Sequence, residues 1–328
     1  MHLLILEISS ANSSQYKARG SKIGVFQAFG ADALRLWVAS SDYTRDVVIG
    51  TPVIQFNQSA LLKYRMIIKM LLGSMHSGSR NSPITKLDQI ALTQLQAVMH
   101  EVNTAYQNYE FYKGVNAINR WINADLSAFY LEAMKDRLYC GDGGGVLEEI
   151  FHGLMKMLSP ITPNLVEEAW DYRADWMKAE DQTHPSKRPL TEPVIDPTRC
   201  VLDGNVKQDL PYLLAVNTAI KTAQEKARAK KLIGASLESA VHLTIPPKSL
   251  DIFKRYEDEL ATIFVVSSVE LSPAPNNPEW NFDANFEIQG EKGTVVVVPP
   301  KEAKCPRCWR YLAVDEESLC GRCEEVVS

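Results

Sequence analysis

The sequence predicts a mainly α-helical protein: an antiparallel helical bundle, followed by a small α+β unit and a terminal four-cysteine knuckle. Three observations carry that reading. Between residues 51 and 170, apolar residues recur at i, i+3 and i+4 in one segment after another, joined by short turns. After residue 239 the period shortens, and β-branched residues crowd into brief runs such as Thr294–Val298. The last stretch then holds two Cys-x-x-Cys pairs with 11 residues between them.

Residues 1–29 open with a short apolar run and continue as "SSANSSQYKARGSKIG", which is small, polar, basic and without period. They read as a poorly ordered leader. With Glu7 in its apolar run, the start makes a poor secretory signal and a weak organellar transit segment.

Residues 30–180 read as the bundle. Asp32 is placed to cap a short helix carrying Ala33, Leu34, Leu36 and Trp37. Thr51 and Pro52 read as an N-cap and first-turn proline. The helix they open carries the stripe Phe56, Ala60, Tyr64, Ile67, Ile68, Leu71 and Leu72, and stops near Gly73. A second helix is expected over 85–109 and a third over 110–123. A fourth is expected over 125–140, capped by Asp125 and ended by "GDGGG". A fifth runs to Leu158, and Thr162-Pro163 opens a sixth that continues through Trp170.

Residues 181–204 form a proline-rich connector. Residues 205–300 hold a long helix, about 205–232, and the small α+β unit. The helix ends in Lys221, Lys226, Arg228, Lys230 and Lys231. Two readings of that run stay open: a solvated face with cations at the favourable end of the helix dipole, or a stripe that binds phosphates. Strands are expected at 239–245, 262–271, 285–289 and 293–299, with a helical segment between the first two.

Residues 301–328 are the knuckle. Cys305 and Cys308, with Cys320 and Cys323, give four thiolates at the spacing of a closed tetrahedral Zn²⁺ site. The other cysteines, Cys140 and Cys200, are isolated, and the chain lacks a convincing secretory signal, so metal is preferred over disulfides. Four sulfur ligands leave no open position, so the site is structural. Arg307, Trp309, Arg310 and Arg322, with Lys301, Lys304 and Tyr311, set cations beside stackable rings, which suits RNA. Glu316, Glu317, Glu324 and Glu325 dilute that charge, and Trp309 has a plain alternative as a packing residue beneath the knuckle.

The net charge of −5 means that any nucleic-acid binding comes from local patches. No apolar run approaches the length of a membrane span. H-E-x-x-H, a nucleophile elbow and a phosphate-binding G-x-x-x-x-G-K-[ST] loop are all missing, which favours a binding module over an enzyme.

Taken in order, several of these stretches resemble the C-terminal part of the isoleucine–tRNA ligases, class I aminoacyl-tRNA synthetases of bacterial and organellar type. The resemblance covers about residues 28–328. "GADALRLWVASSDYTRDV" is similar to the segment leaving the catalytic domain. "DLSAFYLEAMKDRLYC" and "LSPITPNLVEEAW" resemble the anticodon-binding bundle. "KLIGASLESAVHL" resembles the start of the C-terminal extension, and "CPRCWRY…LCGRCEEV" the terminal zinc knuckle, a module shared in outline with some DNA glycosylases.

The resemblance implies structural Zn²⁺ and tRNA as partner, with ATP and isoleucine used only by the full-length enzyme. It implies cytoplasm or mitochondrial matrix, without secretion or membrane. The H-x-G-H and K-M-S-K-S elements of class I catalysis are missing, and "RGSKIG" at 19–24 is only an echo of the second. The chain alone is therefore expected to be inactive, with a separate catalytic chain as a further expected partner. DNA is not expected, because a zinc-finger glycosylase needs proline and glutamate after Met1, where this chain has His2 and Leu3. The remaining alternative is a stand-alone RNA-binding scaffold or regulator without ligase activity.

Overall fold

A computed structural model describes residues 30–47, 50–75, 83–140, 145–180, 183–195, 202–275 and 278–327. The leader expected over 1–29 lies outside the described residues.

The bundle comprises α1 (Ala31–Ser40), α2 (Thr51–Ser74), α3 (Lys86–Gln107), α4 (Phe111–Arg120), α5 (Glu132–Cys140), α6 (Leu147–Leu158), α7 (Pro163–Asp171) and α8 (Asp175–Glu180). Helix α3 is its axis. A Thr85/Asp88 capping box starts it, and Leu87, Ile90, Leu92, Leu95, Val98 and Val102 are buried along its length. Helix α6 crosses close to α3, because a Cβ on Gly153 would stand only 2.8 Å from Leu95 Cδ1.

Two expected helices prove to be one. Helices α4 and α5 are joined by a π-helical segment, Trp121–Leu131, so that the rod is continuous from Phe111 to Cys140. Asp125 is therefore not a cap. It lies inside the rod, accepts a hydrogen bond from Gln94 Nε2 at 3.1 Å, and has its carboxyl pushed up by burial. The stretch "INADLS" has neither glycine nor proline to stop a helix. The wider winding turns Trp121, Ile122, Leu126, Phe129 and Tyr130 into the core.

Asp32 also departs from expectation. Its own helix is preceded by Gly30, and its carboxylate accepts from the backbone N–H groups of Asn164 (3.3 Å) and Leu165 (2.7 Å) at the start of α7. It caps a helix some 130 residues away along the chain. At α2 the cap position is Gly50, with the proline in the first turn.

The connector straps across the bundle. Buried Lys156 donates to the Glu192 carbonyl (3.0 Å) and carboxylate (2.9 Å), Ile195 is buried, and His184 meets the Trp170 ring edge to face.

Beyond it come α9 (Gly204–Ala229), β1 (Ala240–Thr244), α10 (Leu250–Lys254), α11 (Leu260–Ile263), β2 (Ser268–Glu270), β3 (Phe282–Ile288) and β4 (Glu291–Val298). The sheet order is β2-β1-β4-β3. β2 runs parallel to β1 after a helical crossover, and the other pairs are antiparallel. Val241, Leu243, Ala284, Phe286, Ile288, Val295 and Val297 share one buried face. The expected strand over 262–271 shrinks to β2. Leu260, Ile263, Phe264 and Val266 are buried as a helix and turn, an ambiguity inherent in a short apolar run.

Two sets of hydrogen bonds fasten this unit. Glu259 accepts from the backbone N–H groups of Lys86 (2.9 Å) and Leu87 (3.1 Å), capping α3 from outside the bundle. Buried Asp209 on α9 accepts from Arg255 (2.6 and 3.1 Å) and from the Tyr256 hydroxyl (3.0 Å). The knuckle adds a short hairpin, β5 (Ala303–Lys304) with β6 (Tyr311–Ala313), and α12 (Gly321–Val327).

Candidate cysteine centre and nucleic-acid interface

Two backbone turns build the cysteine centre. In the first, Trp309 N–H donates to the Cys305 carbonyl at 3.0 Å, and Cys305 N–H to the Arg310 carbonyl at 2.8 Å. In the second, Cys323 and Glu324 N–H groups both donate to the Cys320 carbonyl, starting α12. The turns face each other, and the four Sγ atoms lie within 4.8 Å of one another, all buried. Cys308 and Cys320 sulfurs are 3.7 Å apart, and all four cysteines are free.

That spacing fits one ion. A tetrahedron with metal–sulfur bonds of about 2.3 Å has an edge of about 3.8 Å, whereas a disulfide needs about 2.05 Å. The donor chemistry fits as well. Burial works to raise the Cys305 thiol, but N–H groups of Cys308, Cys320 and Arg307 directed at its sulfur outweigh it and bring it down to about 6. Burial, helped by the neighbouring sulfurs, pushes Cys308 up to about 12. Four thiols crowded this way repel one another once ionised, and a shared cation relieves that repulsion.

Arg310 docks the knuckle. It is 5% exposed and donates to the Val266 carbonyl at 3.2 Å, while Tyr311 N–H meets the Ser267 hydroxyl at 3.3 Å. Arg310 is thus turned inward toward the α+β unit. Trp309 points the other way, the residue being 64% exposed. It does not pack beneath the knuckle. Its φ of +62° is the left-handed conformation that suits glycine, and holding a bulky residue there costs about 1–3 kcal/mol. The Lys304 ammonium sits 5.7 Å over the ring.

A cleft of about 620 Å³ opens beside Trp309 where the bundle, the α+β unit and the knuckle meet. Lys135, Arg228, Ser236, Thr262, Arg307 and Trp309 line it. Of the residues singled out in the sequence, the fold brings Arg228, Arg307, Trp309 and the buried Arg310 together here. Lys135 escaped sequence reading as a member of this site, because it reaches the cleft only through the α5 rod.

The basic end of α9 divides in two. Lys226 donates to the Asp283 carbonyl (2.6 Å), Arg228 to the Gly234 carbonyl (3.1 Å) and Ser236 hydroxyl (2.8 Å), and Lys230 lies 5.0 Å over the Phe282 ring. Lys226 and Lys230 tie the helix to β3, and Arg228 ties it to the turn that follows. Lys221, Lys231 and, on α12, Arg322 are exposed.

A helical bundle with an α+β appendage and a thiolate centre defines a class, and comparison with known proteins agrees. Residues 88–243, from the first turn of α3 into β1, match the family model "Anticodon-binding domain of tRNA ligase". Within that class the chain is a relative of the isoleucine–tRNA ligases. It is 31% identical to that of Persephonella marina over 92% of this chain and 33% of the relative, and 33% identical to that of Desulforudis audaxviator over 93% and 34%. The chloroplastic/mitochondrial isoleucine–tRNA ligase of Arabidopsis thaliana is 32% identical over 92% of this chain and 30% of its own length. The chain therefore spans about a third of the length of these curated relatives. They include bacterial and organellar enzymes, and among the described residues no helix is long and apolar enough to cross a membrane.

Proposed function

We propose that this chain is the tRNA-reading portion of an isoleucine–tRNA ligase, with Zn²⁺ held by Cys305, Cys308, Cys320 and Cys323. The ion supplies no chemistry beyond holding two turns together, because four thiolates complete its coordination. The turns set Trp309 at the mouth of the cleft. An unstacked base lies on its indole, with Arg307, Arg228 and Lys304 as the cations nearby, while Lys135 is paired with Glu132. Lys221, Lys231 and Arg322 meet phosphates more distantly, and the acceptor is the isoleucine tRNA. The observation that supports this best is the indole itself: large, exposed, and held in a backbone conformation with an energetic cost that its own packing does not offset.

Trp309→Ala tests it. Affinity for isoleucine tRNA is expected to fall by about 1–3 kcal/mol, roughly one to two orders of magnitude, with zinc content unchanged. Loss of zinc without change in the affinity of the remaining holo-protein would give the indole a structural role instead. Absence of tRNA binding by the wild type at low salt would leave the scaffold reading in its place. Activation of isoleucine with ATP belongs to the portion of the ligase that this chain does not span. The chain alone is expected to give no isoleucine-dependent ATP–pyrophosphate exchange above a blank.

A further inference from the structure

The cysteine centre and the cleft beside Trp309 share a wall. Among the described residues Cys308 is the one cysteine that lines the cleft. It is 8% exposed, against 3% for Cys320 and 0% for Cys305 and Cys323. The Cys305 sulfur is sheltered further by the Cys320 N–H, which donates to it at 3.4 Å. Of the four sulfurs, a small solute in the cleft therefore meets that of Cys308 first.

Two neighbours suit that sulfur to a thiol reaction. The Cys320 sulfur is 3.7 Å away and belongs to the other turn, so a second thiol stands ready for whatever forms on the first. Arg307 lines the same cleft, with Nη1 donating to the Cys323 carbonyl at 3.4 Å, and a cation there stabilises an oxygen anion leaving the reaction.

We propose that Cys308 is the residue at which a hydroperoxide, entering through this cleft, oxidises the knuckle, and that Cys320 completes the reaction. The Cys308 sulfur attacks one peroxide oxygen, and the O–O bond breaks. The departing oxygen takes up a proton and leaves as water, or as an alcohol if the peroxide is organic, and Cys308 becomes a sulfenic acid. The Cys320 sulfur then attacks the Cys308 sulfur. An S–S bond forms, the S–O bond breaks, and the hydroxyl leaves with a second proton as water. The two cysteines together lose two electrons, and the one peroxide gains them.

Two joined sulfurs are no longer thiolate donors, and Cys305 with Cys323 cannot complete a tetrahedral site alone. Trp309 follows Cys308 directly, and its left-handed backbone belongs to the turn closed on the Cys305 carbonyl. The exposed indole is therefore lost with the metal. Conversely, RNA in the cleft covers Cys308, so the empty chain is the one that oxidises. This last link rests on the function proposed above, whereas the chemistry at Cys308 does not.

The experiment treats the zinc-loaded full chain with hydrogen peroxide. Zinc release is followed with a chromogenic chelator, and early products are mapped by alkylation and peptide mass. A Cys308–Cys320 cross-link is expected as the first product, rising together with released zinc, and dithiothreitol with added zinc should reverse both. Saturating isoleucine tRNA is expected to slow both by about tenfold or more, because susceptibility follows exposure. Ala235→Trp should slow them by about threefold without tRNA, by narrowing the cleft. Ala235 lines the cleft, is exposed, and has an extended backbone (φ −92°, ψ 155°) that accepts a large side chain. The proposal is overturned if another cysteine reacts first, if the early cross-link joins two cysteines of one turn, or if zinc leaves while all four thiols stay reduced. It is equally overturned if neither bound tRNA nor Ala235→Trp slows the reaction. A chain that binds no tRNA at low salt would end the tRNA-reading function, and the cysteine map with Ala235→Trp would still decide this proposal.

Discussion

The bundle and the knuckle solve the same problem with opposite means. Around α3 the bundle buries large side chains from every direction, including Tyr64, Tyr130, Phe151, Leu95 and Ile118. The knuckle's own buried set is four cysteines and Ala313, with Leu312 and Leu319 partly covered. Burial of apolar area at about 25 cal/mol/Å² can hold the first together, whereas so small a core cannot hold the second. The knuckle's stability must therefore come from its sulfurs and from the docking of Arg310 on the α+β unit. The bundle's core does without the sulfurs, whereas the knuckle's core is made of them.

The largest effect that could break this contrast is metal removal. Structural zinc in small fingers contributes an apparent 10–16 kcal/mol or so at neutral pH. Chelation, or Cys305→Ser, should therefore unfold 301–328 entirely and leave α3 intact. Hydrogen exchange reads both at once: knuckle amides lose protection and the amides of 86–107 keep theirs. Metal analysis of reduced wild-type protein should return one zinc per chain. Unfolding of both regions together would show that the knuckle is part of the bundle's cooperative unit.

Inside the bundle the most costly single change should be Asp88→Ala. This fully buried carboxylate accepts from Tyr130 Oη (2.8 Å), Arg137 Nη1 (2.8 Å) and Thr85 N–H (3.0 Å), so its removal strands a largely buried guanidinium. Denaturant melts should show a loss of about 3–5 kcal/mol with zinc content unchanged. Leu95→Ala, beside Gly153, opens a cavity at the α3–α6 crossing and should cost about 2–5 kcal/mol in the same assay. If either variant released zinc, the two regions would not be energetically separate.

The smallest expected effect sharpens the comparison at the RNA level. Lys230→Ala with Lys231→Ala should flatten the log–log dependence of tRNA affinity on salt by about 0.7–0.9 for each phosphate that is no longer neutralised. Lys230 already lies over Phe282, so the change is expected to correspond to the single phosphate met by Lys231, and affinity for all tRNAs should fall alike. An unchanged slope would leave the α9 terminus a solvated helix end.

The sequence by itself determined the elements with strong local signals. Helical periodicity located α2, α3, α6, α7 and α9, because a 3.6-residue stripe over many turns has one physical meaning. The paired Cys-x-x-Cys spacing picked out the four sulfurs, because each tight turn brings two of them together without help from elsewhere. Tertiary structure alone decided what depends on neighbours remote in the chain. Asp32 looks like the cap of its own helix and caps α7, while Glu259, in a segment read only as helical, caps α3. Arg310 and Trp309 are adjacent and alike as candidate RNA-binding residues, yet one is locked against Val266 and the other stands in solvent. Local pattern reports which backbone groups lack partners and which side chains could serve them. The choice among candidates is made by packing, since an ion pair or a cap forms only where the rest of the core has already brought its two halves within about 3 Å.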